Sequence, residues 1–263
     1  MHKKIIFLKL GGSLITDKGK AETARFDVIR ALLTDLNIFV DESPETHVLL
    51  GHGSGSFGHH AAAKYGTRDG VYDDRGKRGF IEVWRSARKL NEIVLSIGES
   101  LGLPLLSFPP SACVLAYNRE VLKWATEPIS RALEAGIIPV VYGDVVFDRH
   151  FGGTILSTEE LFFYLAGGLQ PKRVLLAGIE SAVFADFPTN SQPIRHIDKD
   201  DILLNSIQGS NQLDVTGGMR AKVGDMQTRC RHTDNCRVEI FTAAEPGDLL
   251  AALKGNHSGT IIS

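Results

Sequence analysis

The chain has 263 residues, of which 43% are hydrophobic and 23% are charged, and its formal net charge is −2. This composition is typical of a globular protein and excludes a disordered chain, while the small net charge argues against nucleic acid or a membrane surface as a partner. The length allows one large α/β domain or two fused lobes. No apolar run approaches the roughly 18 residues of a membrane span.

The first predicted element is a buried strand from Ile5 to Leu10, which continues into Gly11-Gly12-Ser13. Its apolar run is interrupted by Lys9 and is too short for a signal peptide, so we expect a cytoplasmic protein. Paired glycines offer backbone donors and Lys9 adds a point charge, a combination that suits phosphate. Lys18 follows in a polar loop, where a lysine is more often only solvated.

Apolar residues at helical spacing predict a helix from Arg25 to Val40, followed by a second strand that ends at Val48-Leu49-Leu50. The glycine-rich stretch of residues 51–60 comes directly after this strand, and an alanine-rich helix follows it. In a strand, glycine turn and helix, backbone N–H groups and a helix N-terminus converge on an anion. His59 lies on the opening turn and can donate to the same anion, although a loop without a ligand is the alternative.

A polar loop over a site is predicted from Thr67 to Lys77, followed by a long helix from Arg78 to Leu101. Phe80, Val83 and Trp84 begin the apolar stripe of this helix, near the loop. They can wall an apolar pocket, and plain core packing is the alternative.

The middle of the chain places three acidic residues after predicted strands. An apolar strand is followed by Gly143-Asp144, at the edge where α/β sheets bind ligands, although Asp144 can instead cap a turn. A hairpin then leads through Ile155 to Ser157-Thr158-Glu159-Glu160, which begins a helix with ordinary N-cap chemistry.

The strand pattern restarts after Gly167. A buried strand ends at Gly178, and Thr216-Gly217-Gly218-Met219 leads into a helix that carries Lys222. The alternation of strands and helices predicts an α/β fold, an open and mainly parallel sheet between helices. We place a lobe boundary near residue 167, with one continuous sheet spanning residues 1–167 and 168–263.

The three cysteines form no disulfide framework, since their number is odd. Cys230, His232 and Cys236 lie close together, but their spacing fits no common zinc motif, so no metal site is expected. The cations and glycines point to phosphate instead. Two glycine loops from separate strands suggest two phosphoryl groups face to face, and phosphoryl transfer needs alignment and positive charge.

Three motifs, in this order along the chain, resemble the amino acid kinase superfamily: Lys9-Leu10-Gly11-Gly12-Ser13, the loop after the second strand, and Thr216-Gly217-Gly218-Met219-x-x-Lys222. Gly55-Ser56-Phe57-Gly58-His59 and Tyr142-Gly143-Asp144-Val145 are similar to isopentenyl phosphate kinases, with fosfomycin kinase a close relative. The resemblance implies an ATP-dependent kinase that phosphorylates isopentenyl phosphate in the isoprenoid-forming mevalonate pathway.

The resemblance also implies a role for individual residues. Those that would hold ATP are Lys9, Gly11, Gly12, Ser13, Lys18, Gly178, Gly217, Gly218 and Lys222. Those that would act in catalysis are Lys9, Lys18, His59, Asp144, Glu159 and Lys222. Those that would hold the acceptor are Gly53, Ser54, Gly55 and His59, with an apolar wall at Phe80, Val83, Trp84 and Ile155.

The resemblance further implies an acceptor-binding N-terminal lobe, a nucleotide-binding C-terminal lobe, Mg²⁺ carried by ATP with few protein ligands, and a homodimer. The chain departs from the family at Gly53-Ser54-Gly55, often three glycines, at Ser157-Thr158-Glu159, often Ser-Gly-Asp, and in the stretch 178–184. These departures keep a non-catalytic nucleotide-binding protein open as an alternative. A fosfomycin-type small-phosphonate kinase is a second alternative, because the sequence does not fix the acceptor. Gly53-x-Gly55-x-x-Gly58 alone also matches the dinucleotide fingerprint of an NAD-linked oxidoreductase, a weak signal.

Overall fold

The computed structural model of the chain describes residues 4–186, 189–198 and 236–263. The helices are α1 (Gly12–Ile15), α2 (Phe26–Glu42), α3 (Gly55–Tyr65), α4 (Asp74–Ser100), α5 (Pro110–Cys113), α6 (Glu127–Glu134), α7 (Thr158–Leu169) and α8 (Asp248–Leu253). The predicted site residues Gly217, Gly218 and Lys222, and with them Cys230 and His232, lie outside the described residues.

The strands fall into a large sheet and two smaller ones. The large sheet contains β1 (Lys4–Leu10), β2 (Thr46–His52), β3 (Leu105–Ser107), β6 (Ile138–Tyr142), β9 (Arg173–Gly178), β12 (His196–Ile197), β13 (Arg237–Thr242) and β14 (Thr260–Ile262). The smaller sheets contain β4 (Val114–Tyr117), β5 (Glu120–Trp124), β7 (Asp144–Asp148) and β8 (Gly152–Leu156), and β10 (Val183–Phe184) with β11 (Pro193–Ile194).

Within the described residues, the large sheet has eight strands in the order β12-β14-β13-β9-β1-β2-β6-β3. Every neighbouring pair is parallel except β13 with β14, so the predicted open, mainly parallel sheet is confirmed. β1 lies between β2 and β9, and Leu10 at its end is paired with His52 on one side and Ala177 on the other. The loops that leave these three strands therefore start side by side at one edge.

Side chains of β1 alternate between two cores, one on each face of the sheet. Leu8 and Leu10 belong to the apolar cluster formed with α2, α4 and α8. Phe7 belongs to the cluster that contains Phe162 and Leu165 of α7. Since successive side chains of a strand point to opposite faces, one strand stabilises both layers. Helices therefore cover the sheet on both sides, as the sequence predicts.

The predicted hairpin after residue 144 is confirmed, because β7 and β8 are antiparallel from Asp144↔Leu156 to Asp148↔Gly152. The predicted start of the long helix is wrong by four residues, since α4 begins at Asp74 rather than Arg78. The carboxylate of Asp73 accepts from the N–H of Gly76 at 2.7 Å and caps the helix. An N-cap aspartate satisfies a donor that the first helical turn leaves free, which outweighs the low helix propensity of the glycine.

Strands from both predicted lobes pair within the large sheet, but the division of the chain into two lobes stays a prediction.

Among the residues that the structure describes, no helix is both long enough and apolar enough to cross a membrane.

A buried carboxylate fastens the C-terminal part of the large sheet. Glu239 of β13 is fully buried, and its two oxygens lie 2.7 Å from Nε and Nη2 of Arg173 in β9. Arg237 Nε and His257 Nε2 each lie 2.6 Å from the same carboxylate. Burial raises the pKa of Glu239, but the hydrogen bonds from Arg173 and His257 outweigh it and lower the pKa to about 2.

We expect this carboxylate to make stability depend on pH. Its pKa in the folded chain, about 2, is below the ordinary value of 4.5, so its contribution is complete above pH 4.5 and is lost as the pH falls through 2. Glu239→Gln should lower the free energy of unfolding at pH 7 by about 3 kcal/mol, because Arg173 is left without its charged partner. Urea unfolding of both proteins at several pH values measures this difference.

The difference between wild type and Glu239→Gln should shrink as the pH falls from 5 toward 2, since the wild-type carboxyl also becomes neutral. Glu245 is exposed, and Glu245→Gln is the matched control that should leave stability within about 0.5 kcal/mol. A difference at Glu239 that stays constant over this pH range would contradict the assignment.

Candidate active site

A cavity of about 230 Å³ opens where the carboxyl ends of β1, β2 and β9 meet. Its wall is formed by the loops that follow these strands, by α3, and by the start of α7. Most of the described residues predicted to form a site line it: Lys9, Gly11, Gly12, Ser13, Lys18, Gly53, Ser54, Gly55, His59, Val83, Ile155, Glu159 and Gly178. The tertiary structure therefore brings together residues that lie far apart in the sequence.

The two glycine loops touch each other directly, backbone against backbone. A Cβ atom at Gly12 would lie 2.5 Å from the backbone nitrogen of Gly55, and one at Gly53 would lie 2.8 Å from that of Gly12. Any larger residue would push the loops apart. Thr16 fastens them further, since its hydroxyl donates to Gly12 O at 2.6 Å and accepts from the N–H of Ser56 at 2.9 Å.

Backbone N–H groups at this contact are available to a ligand. Four residues that line the cavity have a backbone N–H group that donates to no acceptor within the described part of the chain: Gly12, Ser13, Ser54 and Gly55. An N–H group at a cavity wall without a protein acceptor is a natural donor to phosphate oxygens. The glycine contact and these donors fit two phosphate groups held close together.

Positive charge is placed around the same cavity. Lys9 at the end of β1 forms an ion pair with Glu159 in the first turn of α7, and each side chain is nearly buried, 12% and 13% exposed. Lys18 is exposed at the rim, and His59 on the first turns of α3 is half-buried in the wall. Three of the four predicted cationic groups are thus gathered at one place, and the fourth, Lys222, lies outside the described residues.

Arg68 is a further cation that lines the cavity, and the sequence analysis did not single it out. Its guanidinium donates to Glu160 at 3.0 Å and to the carbonyl oxygen of Ile155 at 3.3 Å. The sequence feature that could have pointed to Arg68 is the polar loop predicted to cover a site, because an arginine in such a loop is a candidate to bind phosphate. No spacing rule, however, connects residue 68 with residues 155 and 160.

The N-terminus of α7 forms one side of the cavity. Ser157 and Glu160 make the predicted N-cap as a capping box, in which Glu160 accepts from the N–H of Ser157 at 2.6 Å. The Thr158 hydroxyl donates to the carbonyl oxygen of His52 at 2.6 Å and ties the helix to the end of β2. Because Glu160 is engaged by the cap and by Arg68, Glu159 is the carboxylate of this turn that pairs with Lys9.

Asp144 does not line the cavity, although its neighbour Gly143 does. Its carboxylate is fully buried and accepts from the N–H groups of Val145 at 2.8 Å and Ser111 at 3.2 Å. Burial raises the pKa of this carboxyl to about 6. The geometry favours the turn-capping alternative over the catalytic prediction, since the carboxylate serves the first turn of α5.

The predicted apolar wall is divided between two places. Val83 and Ile155 line the cavity together with Ala62, whereas Phe80 and Trp84 line a shallower depression on the outside with Phe147. Val83 is buried at 2% exposure, whereas Phe80 and Trp84 are only partly buried. Phe80 and Trp84 therefore pack behind the wall, against the cluster that contains Val83 and Val145.

Comparisons with known proteins agree with this geometry. The family model described as the amino acid kinase family matches residues 4–242. The isopentenyl phosphate kinase of Methanocaldococcus jannaschii is 33% identical over 98% of both chains, and that of Methanothermobacter thermautotrophicus is 32% identical over 95% of this chain and 96% of the other. A solved isopentenyl phosphate kinase structure superposes with a TM-score of 0.82 at 27% identity, covering 98% of this chain and all of the other.

These relatives match nearly the whole chain, and the family model includes both glycine loops and the strands before them. The predicted membership is confirmed by a sequence comparison and a structural one. The chain therefore belongs to the amino acid kinase family and, within it, groups with the isopentenyl phosphate kinases.

Proposed function

We propose that the protein transfers the γ-phosphoryl group of ATP to isopentenyl phosphate and forms isopentenyl diphosphate and ADP. The observation that carries this proposal is the contact between Gly12 and Gly53–Gly55, where N–H groups from two strand ends line one cavity and donate to no acceptor among the described residues. Two anions that must approach each other need two anion-binding loops in contact. The relatives that match the whole chain carry the corresponding name.

Each of the two glycine loops is assigned to one of the two substrates. The loop of Gly11, Gly12 and Ser13 would hold the outer phosphates of ATP, and the loop of Gly53–Gly55 with His59 would hold the phosphate of the acceptor. Gly178 lies at the end of β9, next to the first loop, since Gly11 N donates to Ala177 O at 2.8 Å. We extend the nucleotide site to Gly217, Gly218 and Lys222 on the sequence motif alone, and to a C-terminal nucleotide lobe from residue 168.

The chemical step needs no general base, because the acceptor phosphate is already ionised at neutral pH. One of its oxygens attacks the γ-phosphorus in line, a P–O bond forms, and the bond to the leaving ADP oxygen breaks. The obstacle is repulsion between anions, roughly 4 kcal/mol for two unit charges about 4 Å apart at an effective dielectric near 20. Lys9, Lys18 and the backbone donors offset this repulsion, and His59 donates a hydrogen bond to the acceptor phosphate.

The apolar wall supports a hydrocarbon tail on the acceptor. Ala62, Val83 and Ile155 line the cavity on the side of α3 and α4, near His59. Such a wall stabilises a short branched chain by removing it from water, whereas it offers nothing to a compact polar phosphonate. This observation favours isopentenyl phosphate over a fosfomycin-like acceptor.

Mg²⁺ is proposed to be held by the phosphate oxygens of ATP rather than by a protein cage. In residues 4–186, 189–198 and 236–263, no cluster of histidine, cysteine or acidic side chains is suited to hold a metal. When bound, Mg²⁺ neutralises phosphate charge. The expected homodimer and cytoplasmic location likewise stay predictions.

A coupled ADP-release assay tests the function. Isopentenyl phosphate should give a kcat/KM at least tenfold above that of fosfomycin, since the apolar wall lowers the free energy of a bound methyl-branched tail. Dimethylallyl phosphate, which has the same number of carbons, serves as a matched acceptor and should also react. Preference for fosfomycin would identify a phosphonate kinase, and ATP binding without transfer to any of the three would identify a non-catalytic protein.

His59 and His60 provide a matched pair of substitutions, because both lie in α3 but only His59 lines the cavity. His59→Ala should lower kcat by about 10²-fold or more, as the loss of a donor to the transition-state anion does. His60 is exposed, so His60→Ala should leave kcat within about twofold. Equal kinetics for the two variants would remove His59 from the mechanism.

The ion pair of Lys9 and Glu159 leads to a separate expectation. A carboxylate in the first turn of α7 holds the ammonium group of Lys9 in the cavity wall. Glu159→Gln keeps the shape and the hydrogen-bonding capacity but removes the charge, so kcat should fall about 10- to 100-fold as Lys9 loses its position. Steady-state kinetics on both substrates measure this, with Glu134→Gln on exposed α6 as the control. An unchanged kcat would show that Glu159 does not position Lys9.

A further inference from the structure

His52 is a buried histidine directly behind the second glycine loop, and the mechanism above does not use it. It is the last residue of β2, is 0% exposed, and does not line the cavity. Its ring is stacked on that of Tyr142, with the centroids 5.2 Å apart and the planes 5° from parallel. A fully buried polar ring needs a partner for each nitrogen.

Both ring nitrogens have partners. Nδ1 lies 3.2 Å from the carbonyl oxygen of Gly53, and Nε2 lies 3.2 Å from Oδ1 of Asn91 in α4. Nδ2 of Asn91 donates to the hydroxyl of Ser107 at 3.0 Å, at the end of β3. A chain of hydrogen bonds thus runs from the edge strand of the sheet through α4 and His52 to the glycine loop.

The carbonyl oxygen of Gly53 can only accept, so the contact at Nδ1 requires a proton on that nitrogen. Burial lowers the pKa of His52 and favours the neutral ring, which carries a single proton. With Oδ1 of Asn91 beside Nε2, both ring nitrogens face acceptor oxygens, and a neutral ring can donate to one of them. Turning the Asn91 amide by 180° places its nitrogen beside Nε2 and its oxygen beside the Ser107 hydroxyl, so that a ring with its proton on Nδ1 is satisfied at both nitrogens. With the amide turned in this way, Asn91 selects the tautomer that donates to Gly53.

The contact at Gly53 determines where the next N–H group points. In a planar trans peptide, the C=O of one residue and the N–H of the following residue point in opposite directions. With the Gly53 C=O turned toward His52, the N–H of Ser54 is turned away from it, toward the side of the loop that lines the cavity. That N–H donates to no acceptor in the part of the chain that the structure describes.

The preceding peptide, which joins His52 to Gly53, is held by other contacts. Gly53 N donates to Leu10 O at 3.0 Å, and Gly143 N donates to His52 O at 3.2 Å. The Thr158 hydroxyl donates to the same His52 oxygen at 2.6 Å. The C=O of Gly53 is therefore the group whose direction is left for His52 to set.

We propose that His52 is a positioning residue, which holds the Gly53 carbonyl so that the N–H of Ser54 points at the phosphate of the acceptor. This inference rests on the proposed function, because it assigns the loop of Gly53–Gly55 to that phosphate. His52 touches neither substrate. It orients a backbone donor, and it therefore affects the binding of the acceptor rather than the binding of ATP.

Two isosteric substitutions separate the roles of the two ring nitrogens. Asparagine places its amide near the position of Nδ1, and glutamine places its amide near that of Nε2. His52→Gln therefore loses the contact with Gly53, whereas His52→Asn retains it. Both side chains are neutral, polar and unable to titrate.

We expect His52→Gln to raise the KM for isopentenyl phosphate about 10- to 100-fold, the effect of one lost hydrogen bond to a charged group. The KM for ATP should change less than twofold. His52→Asn should stay within about threefold of wild type for both substrates. The dissociation constant of isopentenyl phosphate without ATP, measured by calorimetry, should follow the same order.

A merely structural role gives a different result. Lost stability reduces the amount of active enzyme and lowers kcat, while both KM values and the order of the two variants stay unaffected. That result, or an equal rise in both KM values, overturns the proposal. If His52→Gln does not fold, Asn91→Leu, which releases Nε2, should raise the acceptor KM about three- to tenfold, and no change there also overturns it.

The failure of this inference is distinguishable from that of the proposed function. If wild type does not phosphorylate isopentenyl phosphate, the proposed function is wrong, and the same variants are compared by their dissociation constants for inorganic phosphate. Weaker phosphate binding in His52→Gln than in His52→Asn supports the positioning role. Equal binding in the two overturns it.

Discussion

The structure depends on the contact between two glycine loops, one leaving β1 and the other leaving β2. At Gly12 and Gly53 the backbones approach so closely that a single methyl group would lie within 3 Å of a backbone nitrogen of the opposite loop. This contact is possible because β1 and β2 are parallel neighbours in register up to Leu10 and His52, so their loops start at the same edge. Two anion cradles in contact are what a transfer between two phosphate groups requires.

Charge in the cavity is organised around this contact by elements from different layers. Lys9 comes from the central strand, and its carboxylate partner Glu159 comes from α7 on one face of the sheet. His59 comes from α3, and Arg68 from the loop between α3 and α4. The ion pair with Glu159 holds the nearly buried ammonium group of Lys9 in place, at little net gain in stability. The arrangement serves the handling of anions more than it serves the fold.

Polar groups behind the cavity separate into two kinds. Asp144 and Glu239 are buried carboxylates fully engaged with the protein, one with N–H groups of α5 and β7, the other with Arg173 and its neighbours. They hold elements together. His52 has a similar burial but a different position, since its ring contacts the peptide on which a cavity-lining N–H depends. Burial alone therefore does not distinguish structural groups from positioning groups. The distinction depends on which part of the molecule each group orients.

The sequence by itself determined the fold class and much of the site. Alternating strands and helices predict a parallel sheet between helices, because a parallel connection needs a crossover, and this is confirmed. Glycine pairs directly after apolar strands predict phosphate loops, since only glycine allows so close a backbone approach. Lys9 at the end of β1 and His59 at the start of α3 were predicted as site residues because they lie close to these glycines in the sequence, and both line the cavity.

Only the tertiary structure decided which of the remaining candidates face the cavity. Asp144 directly follows the cavity-lining Gly143, yet its carboxylate points toward α5. Phe80 and Trp84 line a different depression from the cavity that Val83 lines. The longest hydrogen bond of Arg68 joins residues 92 positions apart in the sequence, and the longest in the network from Ser107 to His52 joins residues 39 positions apart. Local patterns report the spacing along one element. The direction of a side chain relative to a cavity depends on how separate elements pack, and no local pattern contains that information.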